Sequence, residues 1–180
     1  HGVFLAASMG SEATAAAIGV SGIRRDPFAM LPFAGYNMGD YWQHWLDIAN
    51  IDGLKLPKIF RVNWFRKDEN GKFIWPGFGQ NMRVLEWIVE RVNGKAGGQT
   101  SPFGVVPSYE DIDWKGLDFP KEKFAHLTEI KREEGLMETE DLKSYFARFG
   151  THLPPKIEAE REALEKRLEE GPEIWTGDSA

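Results

Sequence analysis

The chain has 180 residues, 42% of them hydrophobic and 28% charged, which is ordinary for a globular domain long enough to bury one core. It has no cysteine, which excludes a disulfide framework and a thiolate metal site and fits a reducing cytoplasm. Twenty-two Lys and Arg against 28 Asp and Glu leave a net charge of -6, which argues against a nucleic-acid surface. No apolar run approaches the roughly 18 residues of a spanning helix, so no membrane partner is expected and the chain reads as soluble and cytoplasmic.

In chain order, the sequence begins at His1 inside the apolar run of residues 2–7, expected as a buried strand. A start inside an element that needs partners predicts a fragment of a longer protein. Ser8 to Glu12 and the run Ala13, Thr14, Ala15, Ala16, Ala17 follow, dominated by small side chains. An alanine-rich helical turn and a compact loop interrupted by Gly19, Ser21 and Gly22 are both open readings. Arg24 and Arg25 could face a phosphate or surround a structural aspartate, and Pro27 bars Asp26 from continuing a helix. Met38, Tyr41, Trp42, Trp45 and Leu46 fit a helix with a wide apolar face that belongs in a core. His44, with no second ligand at a convincing spacing, is expected packed or solvent-facing.

Residues 58–83, KIFRVNWFRKDENGKFIWPGFGQNMR, set six aromatics between basic residues, a turn and a glycine-flanked loop. Residues 58–65 read as a strand, with Phe60, Val62 and Trp64 on one face and Ile59, Arg61, Asn63 and Phe65 on the other. Asn70-Gly71 supplies a tight turn, and residues 72–75 the return strand. Gly77 and Gly79 flank Phe78 in a loop that a ligand can approach. Gln80 and Asn81 stand at a helix start, and Val84, Leu85, Ile88, Val89 and Val92 mark its expected buried face. Aromatic faces beside a helix start suit a purine and its phosphates; a packed aromatic core is the competing account. Lys55, Lys58, Arg61, Arg66, Lys67 and Lys72 outnumber Asp68 and Glu69, so the local field is expected to be positive.

Residues 93–100 read as a flexible connection, 103–106 as a short strand, 107–114 as a loop and 121–131 as a helix. Leu142, Tyr145, Phe146 and Phe149 form another helical stripe. Pro154 and Pro155 open a last helix to about Glu170, its charges expected as a solvated face and its Glu162 and Lys166 four apart, before a frayed tail of residues 171–180.

The order HGVF, SEATAAA, RRDPFAMLPFAGYNMGDYWQHWL, LPKIFRVNWFRKDENGKFIWPGFG and NMRVLEW resembles the C-terminal part of the GTP-dependent phosphoenolpyruvate carboxykinases, bacterial type, closely to about residue 91 and more loosely to about 167. The resemblance implies an α/β fold, a mixed sheet with flanking helices, making residues 1–170 most of a C-terminal nucleotide-binding domain. It implies that Phe65 and Phe78 sandwich guanine, that Phe73 packs at its edge, that Asn81 hydrogen-bonds the base, and that Trp64 and Gly77 contribute backbone, with Gly79 and Gln80 in the same site. Many relatives read FGEN where this chain reads Phe78-Gly79-Gln80-Asn81. About residues 13–24 would be an Ω-shaped lid, with Ser11, Glu12 and Ala13 to Ala17 in its lid motif. Gly10 stands where some relatives have arginine.

The family's gluconeogenic reaction converts oxaloacetate and GTP to phosphoenolpyruvate, carbon dioxide and GDP, with manganese or magnesium. Its metal ligands, reactive cysteine, substrate arginines and phosphate loop correspond to segments before His1; no GxxxxGK pattern occurs here. The resemblance therefore implies GTP/GDP as ligand, no catalytic or metal-binding residue in this segment, the rest of the same chain as partner, and a monomer when intact. The segment alone is expected to be inactive. A non-catalytic nucleotide-binding module and a purely structural domain remain the alternatives.

Overall fold

The computed structural model describes residues 1–12 and 23–177. The chain divides into two compact units, His1–Arg61 with Glu138–Ala163, and Val62–Met137 with Leu164–Ala180.

In the first unit, Gly2–Ala7 is a short helix, α1, and not the expected strand. A strand must find a neighbour for its N–H and C=O groups, whereas a helix satisfies them locally: Leu5 N donates to His1 O at 2.9 Å and Ser8 N to Phe4 O at 2.9 Å. Phe4 and Ala7, three apart, fill the buried face. The strands β1 (Gly10–Glu12) and β2 (Ile23–Arg25) pair antiparallel, with Ser11 opposite Arg24. Helix α2, Met38–Ile48, starts at Asn37, whose Oδ1 accepts from Gly39 N at 2.8 Å. Met38 and Trp42 are buried, Tyr41, Trp45 and Leu46 half-buried, and His44 faces outward, in keeping with the expected core face. Two long helices, α5 (Arg132–Phe146) and α6 (Pro155–Glu170), each contribute residues to both units.

Trp42 and Phe146, both fully buried, centre this core. Their rings meet edge-on at 5.8 Å, Trp42 meets Phe149 at 4.5 Å, and Phe4 meets Phe146 at 6.2 Å. The stripe expected from Leu142, Tyr145, Phe146 and Phe149 is thus the wall that α1 and α2 pack against. Burial pushes the Tyr145 phenol up to about 12, and its hydroxyl has no hydrogen-bond partner among the described residues.

The second unit holds α3 (Asn81–Val92), the hairpin of β3 (Gln99–Ser101) and β4 (Gly104–Val106), α4 (Lys121–Thr128), and the antiparallel pair β5 (Ile130–Lys131) and β6 (Ile174–Trp175). Its core is an aromatic stack. Tyr109 lies on Trp114 at 5.0 Å and 18°, Trp114 on Phe119 at 5.1 Å and 7°, and Trp75 meets Phe119 edge-on at 5.7 Å.

Several expectations are corrected. Among the described residues the strands make three two-stranded antiparallel ladders and no mixed sheet, although the α/β composition holds. Residues 99 and 100 belong to a strand and not to a flexible connection, the helix from Lys121 stops at Thr128, and Ile174–Trp175 is docked where a frayed tail was expected, with Arg132 N donating to Glu173 O at 2.8 Å. On α3 the fully buried residue is Trp87, while Leu85, Val89 and Val92 of the expected buried face are exposed. On α6 the solvated face is interrupted by Arg161, buried with Glu158 at 2.8 Å.

Gly39 tests the close approach within the first unit. A Cβ there would lie 2.2 Å from His152 O and 2.8 Å from its carbonyl carbon, both backbone, whereas one at Gly35 would meet nothing within 4 Å. Gly39→Ala is expected to cost at least about 1–3 kcal/mol in denaturant unfolding, and Gly35→Ala to stay within about 0.5 kcal/mol.

Candidate functional site

The basic and aromatic stretch lies mostly in the second unit, where a turn organised by Asp68 sets its geometry. Asp68 Oδ1 accepts from Asn70 N and Lys72 N, both at 2.9 Å, Gly71 N donates to Asp68 O at 2.9 Å, and Asp68 N donates to Lys72 O at 2.8 Å. Gly71 takes φ 75°, the left-handed conformation that a residue without Cβ adopts at least cost. The arms join through a single bridge, Lys67 to Phe73, and Ile74 N donates to Arg66 O at 2.9 Å.

The turn is therefore where the sequence implies it, but residues 58–65 form no strand and residues 72–75 only the bridge at Phe73. Asn63 explains the break. Its Oδ1 accepts from Phe65 N at 2.9 Å, a local side-chain bond that competes with any ladder.

Burial changes along the hairpin's return arm without alternating. Phe73 is 48% exposed while Ile74 and Trp75 are buried. Phe65, 53% exposed, meets Phe73 edge-on at 6.1 Å and 65°, and the Lys67 ammonium stands 5.1 Å from the Phe73 ring centre. Trp64 is half-buried, 6.2 Å from Trp75.

After Trp75 the chain turns at Gly77, φ 99°, into a 3-10 turn, Phe78–Gln80, that runs directly into α3. Phe78 is 94% exposed, and a Cβ at Gly77 or Gly79 would meet nothing within 4 Å. The aromatics of this stretch thus divide. Trp75 is core, whereas Phe65, Phe73 and Phe78 offer surface to solvent.

The polar residues at the helix start are already engaged on one side. Trp75 Nε1 donates to Asn81 Oδ1 at 2.7 Å, and Arg83 Nε donates to Gln80 Oε1 at 2.7 Å. Arg83 also donates to Asp113 O, and to Lys115 O at 2.9 Å, tying α3 to the loop after Ile112. A carboxylate at position 80 would face the same guanidinium, so Gln80 accepts one bond of that pair without the charge. Neither Trp75 nor Arg83 is among the expected site residues, and hydrophobic periodicity carries no signal for bonds six and three residues apart across a turn.

Of the basic residues expected to make the local field positive, Arg66 is paired. Arg66 donates to Glu129 O at 2.6 Å and Leu127 O at 3.3 Å, and its ion pair with Glu129 is 3.1 Å. In the first unit Arg25 is held by Glu138, at 2.9 Å from each of two nitrogens, by Asp141 and by Ser8 O, and Arg24 lies 3.2 Å from the buried Asp26. Of the two readings of this arginine pair, the structural one accounts for these contacts.

Of the expected lid residues, Ser11 and Glu12 lie in β1, and Ser11 Oγ donates to Asp26 Oδ2 at 3.4 Å. Ala13, Thr14, Ala15, Ala16 and Ala17 fall outside the described residues. Among the described residues no group of three or more His, Cys, Asp or Glu could hold a metal ion. No described helix is long and apolar enough to cross a membrane.

A small α/β assembly that exposes aromatic rings and amide groups around the start of a helix is the class of structure seen here. The chain belongs to the GTP-dependent phosphoenolpyruvate carboxykinase family: residues 1–167 match the family described as the phosphoenolpyruvate carboxykinase C-terminal P-loop domain. It is 51% identical over 171 residues to the phosphoenolpyruvate carboxykinase [GTP] of Neocallimastix frontalis, covering 93% of this chain and 28% of that protein. The proteins of the same name from Renibacterium salmoninarum and Paenarthrobacter aurescens are each 45% identical over 170 residues, with the same coverage. The chain thus spans about 28% of the length of the curated relatives it matches.

The division between core and exposed rings has a direct consequence for stability. Trp75→Ala is expected to cost about 3–5 kcal/mol and Phe78→Ala less than about 0.5 kcal/mol, as measured by denaturant unfolding without nucleotide.

Proposed function

We propose that this chain is the guanine-binding and lid segment of a GTP-dependent phosphoenolpyruvate carboxykinase. Phe65 and Phe78 take the guanine ring between them, Phe73 packs at its edge, Asn81 hydrogen-bonds the base, and backbone at Trp64, Gly77 and Gly79 lines the approach. Gln80, held by Arg83, keeps the turn before α3 in place. About residues 13–24 close over the reacting groups and exclude water.

The observation that carries this reading is the placement of Phe78, 94% exposed in a glycine-flanked turn at a helix start. A ring left in water gains by stacking on a planar base, about 1–3 kcal/mol per base. Guanine as that base is supported by the GTP dependence in the relatives' names.

In this division of labour the phosphate loop, divalent ion and oxaloacetate pocket belong to other parts of the enzyme. The intact protein converts oxaloacetate and GTP to phosphoenolpyruvate, carbon dioxide and GDP as a cytoplasmic monomer serving gluconeogenesis.

Titration of the chain with GDP, followed by calorimetry, tests the clamp. Phe78→Ala and Phe65→Ala are each expected to weaken GDP about tenfold or more without shifting the unfolding midpoint appreciably. Equal affinity in wild type and both variants would remove these rings from the base site. The same purified chain is expected to form no phosphoenolpyruvate from oxaloacetate and GTP with Mn2+; measurable turnover would overturn the division of labour.

A further inference from the structure

The bond between Trp75 and Asn81 has a chemical direction. An indole N–H can only donate, so the atom facing it at 2.7 Å must be the carboxamide oxygen and not its nitrogen. Trp75 is 4% exposed and wedged against Trp64, Trp114 and Phe119, with ring centres 5.7 to 6.3 Å away, so the donor does not swing aside. Asn81 is half-buried at the first position of α3, and its oxygen is turned toward this core. Its Nδ2 amino group is the end left to address a ligand.

This orientation bears on which purine can be read. A carboxamide with both ends available pairs bidentately with adenine, accepting from the 6-amino group and donating to N7, whereas guanine offers acceptors at both O6 and N7. With the oxygen turned into the core by Trp75, the acceptor that the adenine mode needs points away from the ligand, and an amino group facing the 6-position meets a partner in guanine and another donor in adenine. We propose that Trp75 is a positioning residue that fixes Asn81 as a donor toward the base and thereby favours a 6-oxo over a 6-amino purine. The proposal rests on the base site described above.

Competition between GDP and ADP for the chain, read as the ratio of their affinities, tests it. Wild type should prefer GDP. Trp75→Phe keeps an aromatic ring in the stack but removes the donor, which frees the carboxamide to flip; the preference should fall by about tenfold, with ADP gaining. Asn81→Asp keeps an acceptor for Trp75 but sets oxygen where the amino group stood, so the preference should fall at least as far. If Trp75→Phe does not fold, Asn81→Asp carries the test alone. A ratio unchanged in the folded variants, with both nucleotides weakened in parallel, would show a merely structural contact and overturn the inference while leaving the base site standing. A wild-type chain that binds both nucleotides equally would also overturn it. Failure of wild type to bind either nucleotide would overturn the base site itself and the inference with it.

Discussion

Trp75 is the ring on which the second unit's exposed aromatic surface depends. It follows Phe73 by two residues and precedes Phe78 by three, and it is buried against Trp64, Trp114 and Phe119. Anchoring it in the stack fixes where the hairpin's return arm ends and where the Gly77 turn begins. The exposed rings therefore gain their positions from a buried one, and the cost of ordering them is borne by apolar burial elsewhere. Because the same indole holds Asn81, packing and polar orientation at the start of α3 arise from one side chain.

Some of this was legible in the sequence. The helix from Met38, the last helix from Pro155 and the turn at Asn70-Gly71 appear where periodicity, proline and turn chemistry put them, because each signal acts within a few residues. The short apolar run at residues 2–7 was not legible, since a stretch of six can close as a helix or extend as a strand, and what decides is whether a neighbour exists. Residues 58–65 failed differently: their alternation was right for a strand, but Asn63 spends its side chain on the local backbone.

The site was legible by composition more than by geometry. Glycines around Phe78 signalled an open turn, and the turn is open. Spacing could not separate Trp75, which is core, from Phe73 and Phe78, which are surface, because burial depends on Trp114 and Phe119 about forty residues further along. The charged residues show the same limit, since the partners of Arg25 and Arg66 lie 113 and 63 residues away in the chain. The departure at Gln80 is intelligible once Arg83 is seen beside it, because a neutral oxygen can accept the bond that a carboxylate would strengthen.

The pairing of Ile174–Trp175 with Ile130–Lys131 also bears on the order in which the protein can be made. The second unit draws on residues 62–137 and again on residues from 164 onward, and the first unit draws on residues up to 61 and on 138–163. During synthesis, neither unit is complete when its leading stretch leaves the ribosome. The aromatic hairpin must wait, with Phe73 and Phe78 already in water, until Leu164 and Leu168 arrive to fill the core and the strand at Trp175 emerges to close the edge of β5. This architecture asks for protection of the aromatic hairpin until the residues from 164 onward have emerged.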